Sequence, residues 1–198
     1  MNKYYIKYFI YLLLSLVVTF IGAISSPMLS STTNTVLLIA SIGLIFLFIF
    51  SEGLFKKIML FVFNFAEGMI IAQLILKNSK IDINVILSTI GITILITTIF
   101  IVIGLITKDL SGMKNFLFTA LIILFVLSII SIFVNIPFLS YLIIILFCGY
   151  VAYDFNSFKN LVNKKRIISD DIILDHVMDM YLDIINLFVQ ILASLSDD

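Results

Sequence analysis

Four carboxylic side chains lie inside long apolar stretches of this sequence, where ionisable groups are rare. They are Glu67, Asp154, Asp179 and Asp183, and Asp175 stands near the start of the last stretch. A charge in a low-dielectric surrounding is costly, so such groups usually face the protein interior or a wet cavity and serve ion or proton movement. These five residues are therefore the candidate functional set.

The last apolar stretch carries a regular series of polar residues. Their spacings are 4, 4, 3, 4, 4 and 3, or 22 residues in six steps, close to the turn of an α-helix. One polar stripe therefore follows one helix face, formed by Asp175, Asp179, Asp183, Asn186, Gln190, Ser194 and Asp197. A helix lying on the membrane surface is the alternative, but such helices usually carry Lys and Arg on their polar face. We expect this acidic stripe to face other helices and water.

Asp154 and Asp183 stand on either side of a polar loop centred near residues 166 to 168. Asp154 should lie at the same depth as Asp183 or Asp179, roughly 10–16 Å from the loop at 1.5 Å per residue. If Asp154 and Asp183 meet, they would share a proton at acidic to neutral pH, and deprotonation would open the pair or recruit a cation. Carboxylate and backbone carbonyl oxygens are the ligands that calcium prefers. The alternative is that each aspartate is satisfied separately by a Ser, Thr or Tyr.

Two further residues invite chemical interpretations. Glu67 follows Asn64 by one helical turn, and it is either a second polar station on an ion pathway or a protonated acid bonded within the bundle. The single cysteine, Cys148, excludes an internal disulfide or a thiolate metal cluster. We expect no cofactor, with calcium as a permeant or transiently bound ion.

The composition requires that these residues be positioned by membrane helices. The 198 residues are 62% hydrophobic and 12% charged, whereas a soluble domain is about 25% charged. Segments near 20 residues are long enough for spanning helices and too long for barrel strands. The first has no small-x-small cleavage site, so we expect a retained helix. The sequence predicts one all-α domain, 1–198, with seven spans: Tyr4–Ile24, Thr35–Phe50, Ile58–Leu76, Val85–Ile106, Asn115–Val134, Phe138–Phe158 and Ile172–Leu195.

The positive charges predict the orientation of these spans. With the N-terminus in the cytoplasm, ten basic residues fall on the cytoplasmic side and two, Lys77 and Lys80, on the other. This is a strong positive-inside bias, and seven spans then place the C-terminus outside. The ten are Lys3, Lys7, Lys56, Lys57, Lys108, Lys114, Lys159, Lys164, Lys165 and Arg166. Usage rich in Ile, Asn and Lys favours a bacterial plasma membrane.

Several functional classes are excluded by these patterns. A retinal protein needs a lysine in its seventh helix, and this seventh segment has none. A G-protein-coupled receptor has its N-terminus outside. No basic tract indicates nucleic-acid binding.

Three segments resemble the Bax inhibitor-1 family. They read Thr-Lys-Asp-Leu-Ser-Gly-Met-Lys-Asn-Phe-Leu-Phe from Thr107, Gly-Tyr-Val-Ala-Tyr-Asp-Phe-Asn-Ser-Phe from Gly149, and Met-Tyr-Leu-Asp-Ile-Ile-Asn-Leu-Phe from Met180. The resemblance covers approximately Thr107 to Leu192, and the front half agrees in topology only.

The resemblance implies a central seventh helix wrapped by six others and a pH-sensitive calcium leak gated by two aspartates, which correspond to Asp154 and Asp183. Relatives are associated with stress protection, and one bacterial branch with a membrane protease. Relatives also carry an arginine near the cytoplasmic end of the second helix that bonds to the aspartates. This chain offers only Lys56 and Lys57 there, and a lysine is a weaker, non-bidentate substitute. Asp179 is not general in the family.

Three functions follow as hypotheses. The first is a proton-regulated calcium leak channel, not an enzyme. The second, an intramembrane aspartyl protease, is disfavoured because Met180, Tyr181 and Leu182 replace the glycines that precede the second aspartate of such enzymes. The third is a non-conducting partner that modulates a membrane protease or a stress pathway through helix contacts.

Overall fold

The computed structural model describes residues 3–26, 29–78, 81–134, 136, 138–164 and 167–197, and these residues are largely helical. They contain seven α-helices and one short 3₁₀ turn, Ser111–Met113, and no strand. The helices are α1 (Lys3–Ser25), α2 (Ser31–Ile49), α3 (Gly53–Lys77), α4 (Ile83–Ile106), α5 (Lys114–Ile130), α6 (Leu139–Lys164) and α7 (Asp170–Asp197). The expected all-α class is therefore confirmed.

Six stretches of the described residues are long and apolar enough to cross a bilayer. They comprise α1, most of α2, α3, α4, the 3₁₀ turn with α5, and α6. Large apolar side chains are exposed along them, as expected of surfaces that contact lipid. The chain is thus an integral membrane protein. The seventh predicted span, α7, is a helix of 28 residues but does not belong to these six.

Two helices extend well beyond the apolar spans predicted for them. Helix α3 begins at Gly53, so Lys56 and Lys57 lie in its first turns. Helix α6 continues six residues beyond Phe158. Backbone hydrogen bonds continue each helix beyond its apolar segment into the polar residues that flank it. Lys80, Lys165, Arg166 and Asp198, used for the orientation, lie outside the described residues.

Local capping explains several helix starts. Ser30 accepts a hydrogen bond from the backbone of Thr33 at the start of α2, and Asp82 accepts two at the start of α4. Asp170 and Asp171 occupy the first turn of α7, where negative charge interacts favourably with the helix dipole. The Ser30 and Asp82 side chains thereby satisfy amide groups that a helix leaves unpaired at its N-terminus.

The chain forms two compact units. Unit 1 comprises Met1–Ile81 with Ile167–Tyr181, that is α1, α2, α3 and the first part of α7. In it, α1 and α3 pack closely enough that a Cβ added at Gly68 would lie 2.0 Å from the Thr19 carbonyl oxygen. The Thr19 hydroxyl is hydrogen bonded to that of Tyr181 over 2.6 Å, which joins α7 to α1.

Unit 2 comprises Asp82–Arg166 with Leu182–Asp198, that is α4, α5, α6 and the rest of α7. Helices α4 and α6 approach closely at Gly104, where an added Cβ would lie 2.4 Å from the Ala152 carbonyl oxygen. Just beyond this contact, Asn156 donates to the carbonyls of Gly104 and Thr107 and accepts from the backbone of Leu110. One amide thereby fixes the end of α4 and the loop that follows it.

We expect Asn156→Ala to lower the free energy of unfolding by about 2 kcal/mol, because one buried and two partly buried backbone partners lose their hydrogen bonds at once. Thermal unfolding in detergent measures the change. Asn160→Ala is the matched control, since the Asn160 amide donates to the Asn156 side chain rather than to the backbone and lies at the more polar end of α6. Equal destabilisation by both variants would contradict the special role of Asn156.

Candidate functional site

Asp154 on α6 and Asp183 on α7 are brought together in unit 2. Their side chains lie close enough to interact. Asp183 is only 5% exposed, and Asp154 is half-buried. Two carboxyl groups can form a hydrogen bond only when one of them carries a proton, and the shared proton expected from the sequence stays a prediction.

Buried apolar residues and a tyrosine lie close to Asp154 along α6. On α6, the neighbouring Val151, Ala152 and Phe155 are buried. Tyr150, one turn before Asp154, lies near enough to interact electrostatically with both carboxyl groups. Loss of the shared proton would leave two like charges in a medium that screens them poorly, which favours separation of the pair or entry of a cation.

The remaining stripe residues of unit 2 bond along their own helix. Asn186 donates to the Leu182 carbonyl, and Ser194 donates to the Gln190 carbonyl. Asn186 and Gln190 are half-buried. They therefore extend a polar face beyond Asp183 while keeping some of their hydrogen-bonding capacity for water or ions.

The stripe residues of unit 1 are more accessible. Asp175 and Asp179 are exposed, in contrast to buried Asp183. Along α7 the stripe therefore changes from exposed carboxylates near the helix start to a buried one in the middle.

The two lysines considered as latch cations pair with other carboxylates of unit 1. Lys56 is 5% exposed, and its ammonium lies 2.6 Å from the Asp175 carboxylate and over the Phe48 ring. Lys57 lies 3.3 Å from Asp170. Both lysines thus have carboxylate partners within unit 1. That Lys56 or Lys57 bonds to Asp154 and Asp183 stays a prediction.

We expect Asp175→Asn to lower the free energy of unfolding by about 1–2 kcal/mol, because it leaves the buried Lys56 ammonium without its anion. The value is below that of a fully buried pair since the Asp175 side chain is half exposed. Chemical unfolding in detergent gives the change. Adding Lys56→Met should recover most of the loss, and Glu52→Gln, an exposed acid at the same end of α3, should change little.

Asp170 fastens the start of α7 to two other helices. Its carboxylate binds Lys7 of α1 over 2.6 Å and Lys57 of α3 over 3.3 Å. The hydrogen bond from Lys7, supported by the one from Lys57, lowers the pKa of Asp170 below its usual value. A carboxyl group whose pKa is lowered by folding stabilises the folded state while it is ionised. The contribution of Asp170 is therefore present at neutral pH and is lost as the pH falls through the pKa of the folded state. The neighbouring Asp171 accepts a hydrogen bond from the Gly53 backbone.

Glu67 belongs to unit 1, on α3. Its side chain is half-buried and hydrogen bonded to Ser41 of α2. This contact agrees with the interpretation of a carboxyl group bonded within the bundle. The pathway interpretation of Glu67 stays a prediction.

A tight metal centre is not visible in the described residues. No group of three or more His, Cys, Asp and Glu side chains among them is arranged to hold an ion. The Asp154–Asp183 pair could supply two carboxylates to calcium, with the further ligands coming from carbonyl oxygens or water.

The sequence interpretation missed the clamp made by Asn156 and Lys159. Lys159 donates to the carbonyls of Gly104, Leu105 and Thr107, and it was counted only as a cytoplasmic charge. Its spacing of three from Asn156 was the available signal, because residues three apart share one face of a helix. The clamp begins two residues after Asp154, so it holds the end of α6 against α4 close to the candidate site.

Comparison with known proteins identifies the family. The sequence model described as "Inhibitor of apoptosis-promoting Bax1" matches residues 1–198. An uncharacterized protein of Helicobacter pylori strain ATCC 700392 / 26695 is 33% identical over 79% of this chain and 69% of its own length. A second, from strain J99, is 32% identical over 68% of this chain and 58% of its own length.

Two plant relatives match a smaller part. A BI1-like protein of Arabidopsis thaliana is 42% identical over 44% of this chain, and Protein LIFEGUARD 4 from the same plant is 41% identical over 43%. The chain spans 34% of the length of each in these matches. With a family match along the whole chain and apolar helices of spanning length, this protein belongs to the Bax inhibitor-1 family of integral membrane proteins.

Proposed function

We propose that the chain forms a pH-sensitive calcium leak channel whose gate is the Asp154–Asp183 pair. The observation that carries this proposal is the proximity of these two carboxyl groups, one of them buried, inside a membrane protein. Family membership supports it. No chemical step is part of this role, so we also propose that the protein is not an enzyme.

In the closed state the two aspartates share one proton and join α6 to α7. When the pH rises, loss of that proton leaves adjacent negative charges that repel each other and attract a divalent cation. The flux of calcium should therefore increase with pH. Two carboxylates without a third acidic ligand would bind calcium weakly enough to release it, as conduction requires.

We further propose that α7 is the central helix of the bundle. Support comes from side chains that are buried along its length, including Ile173, Val177, Leu187 and Leu192. The exposed Asp179, one turn after the Asp175 that pairs with Lys56, would then form an acidic entrance to the pathway, followed by the central pair. Asn186 and Gln190 would continue the pathway beyond it.

We propose that the N-terminus faces the cytoplasm of a bacterial plasma membrane and the C-terminus the outside. The ion pairs of Asp170 with Lys7 and Lys57 support this topology, because they place the starts of α1, α3 and α7 on one side. Basic residues near those starts fit the cytoplasmic side. The Helicobacter relatives and the Ile-, Asn- and Lys-rich composition support a bacterial host.

Calcium influx into liposomes that contain the purified chain and a trapped calcium indicator tests the proposal. Flux above that of empty liposomes, increasing between about pH 5 and pH 8 as the shared proton is lost, is the expected result. No flux at any pH would overturn the channel function. It would favour the alternative role, a non-conducting modulator of a membrane protease or a stress response, and co-purification with such a protease would then be the next measurement.

A further inference from the structure

Two lysines of unit 1 bind the same carboxylate from two different helices. The Lys7 ammonium of α1 lies 2.6 Å from one oxygen of Asp170, and the Lys57 ammonium of α3 lies 3.3 Å from the other oxygen. The two ammonium groups are therefore close enough together to bind one small anion through its two oxygens. A phosphodiester also presents two unesterified oxygens that share one negative charge, so it can take the place of a carboxylate between two lysines.

The ion pairs between these residues are open to exchange. The side chains of Lys7, Lys57 and Asp170 are 46%, 30% and 35% exposed. Ion pairs between such exposed groups contribute little stability, because water screens them. An external anion can therefore displace the Asp170 carboxylate at small cost. In the neighbouring ion pair with Asp175, by contrast, the Lys56 side chain is only 6% exposed and is shielded from an external anion.

Both lysines lie near the start of a helix that contacts lipid. Lys7 is the last charged residue of α1, and an apolar run begins directly after Lys57 in α3. Large exposed apolar side chains flank the two lysines, namely Ile6, Phe9, Ile10, Leu54, Phe55 and Ile58. Such side chains contact acyl chains in a membrane protein, and a lysine near the end of a spanning helix extends its ammonium to the level of the lipid headgroups.

A third lysine and two tyrosines lie at the same end of α1. The Lys57 ammonium lies 5.6 Å from the centre of the Tyr11 ring. The Lys3 ammonium lies 5.2 Å from the centre of the Tyr4 ring. Lys3 precedes Lys7 by four residues and Tyr11 follows it by four, so the three share one face of α1. Lysine and tyrosine are both typical of the boundary between membrane and water.

We propose that Lys7 and Lys57 form a binding site for the phosphate of an anionic phospholipid, and that Asp170 occupies this site when no such lipid is bound. The acyl chains lie along the exposed apolar side chains that flank the lysines, and Lys3 adds to the attraction. Because the phosphate displaces Asp170, lipid binding releases one of the contacts that hold the start of α7. The site shares no residue with the Asp154–Asp183 pair and does not depend on calcium conduction.

Native mass spectrometry of the whole protein in detergent, titrated with phosphatidylglycerol or with phosphatidylcholine of the same acyl chains, tests this site. We expect the first phosphatidylglycerol to bind about tenfold more tightly, because each lysine near the membrane surface favours an anionic lipid by about fivefold and Asp170 competes with it. Equal affinities for the two lipids would overturn the proposal. Displacement of phosphatidylglycerol by an equal concentration of inorganic phosphate would also overturn it, since the site would then belong to free anions.

Lysine variants locate the binding. Lys7→Gln and Lys57→Gln should each lower the affinity for phosphatidylglycerol by about fivefold and leave that for phosphatidylcholine unchanged. Lys77→Gln is the matched control, because it removes the same charge from an exposed lysine at the other end of α3. An equal decrease in Lys77→Gln would show that only the general charge of the protein matters, and the site would be disproved.

Asp170→Asn tests the internal competitor. Without the carboxylate, the affinity for phosphatidylglycerol should rise by about fivefold. Glu52→Gln removes an exposed acid from the same end of α3 and should change the affinity little. An unchanged or lower affinity in Asp170→Asn, or an equal rise in Glu52→Gln, would contradict the exchange between carboxylate and phosphate. The two lipids and the lysine variants still decide the question if Asp170→Asn does not fold.

Discussion

Replacing Asp183 with asparagine is expected to make calcium flux independent of pH. Asparagine retains the shape of the side chain and can donate to Asp154, but it cannot release a proton to create the second negative charge. Repulsion between like charges in a poorly screened site is the force that opens the proposed gate. Flux recorded across about pH 5 to pH 8, where the unaltered chain should vary by about tenfold, tests this effect.

The companion variant Asp154→Asn should have the same effect, since either member of the pair can be the one that keeps the proton. Asp109→Asn is the control. Asp109 lies in the exposed loop between α4 and α5, where hydrogen bonds with Ser111 lower the pKa of its carboxyl group. Full pH dependence in both pair variants would disprove the gate, and loss of it in Asp109→Asn would show that the assay responds to general charge.

Gly68→Ala should be the most damaging of the small substitutions in unit 1. The new Cβ would lie 2.0 Å from the Thr19 carbonyl oxygen and 2.9 Å from the Ala23 amide nitrogen, distances that only a shift of α1 can relieve. Overpacking of this kind costs about 3 kcal/mol, well above the gain in helix propensity. The shift would also disturb the hydrogen bond between Thr19 and Tyr181. Thermal unfolding in detergent should show a clear decrease in midpoint.

Gly91→Ala is the matched control for this effect. Gly91 also lies within a long apolar helix, but an added Cβ there meets nothing within 4 Å. It should leave stability unchanged or increase it by up to about 1 kcal/mol through helix propensity. A similar loss of stability in both variants would mean that the glycines matter for their flexibility rather than for the α1–α3 contact.

The existence of the helices could be predicted from the sequence, because a helix that spans a bilayer needs about 20 consecutive, mostly apolar residues. Their ends could not, since polar residues such as Lys56 and Lys164 are helical although they interrupt the apolar runs. The equal depth of Asp154 and Asp183 could be derived from 1.5 Å per residue. The proximity of their side chains could not, because it depends on how each helix is rotated about its axis.

Other contacts depend on the length of flexible side chains and on helix packing, which the spacing of residues in the sequence does not determine. Lys56 pairs with Asp175 because a long flexible side chain selects among several nearby carboxylates. The burial of Asn64 follows from the glycine contacts one turn away, and nothing in the sequence identifies which glycines touch a neighbouring backbone. The gating role of Asp154 and Asp183 was predicted from the family resemblance. Their depth was predicted from the rise of a helix, and the orientation of the spans from the positive charges.

The ion pairs of Asp170 also bear on how the protein enters the membrane. Helix α7 follows the others in chain order and carries acids that hydrocarbon would reject if the helix entered alone. Its basic partners, Lys7 on α1 and Lys57 on α3, belong to helices synthesised earlier. The growing chain therefore carries both basic partners before α7 emerges, so the acidic start of α7 meets a charged docking point on protein that is already made.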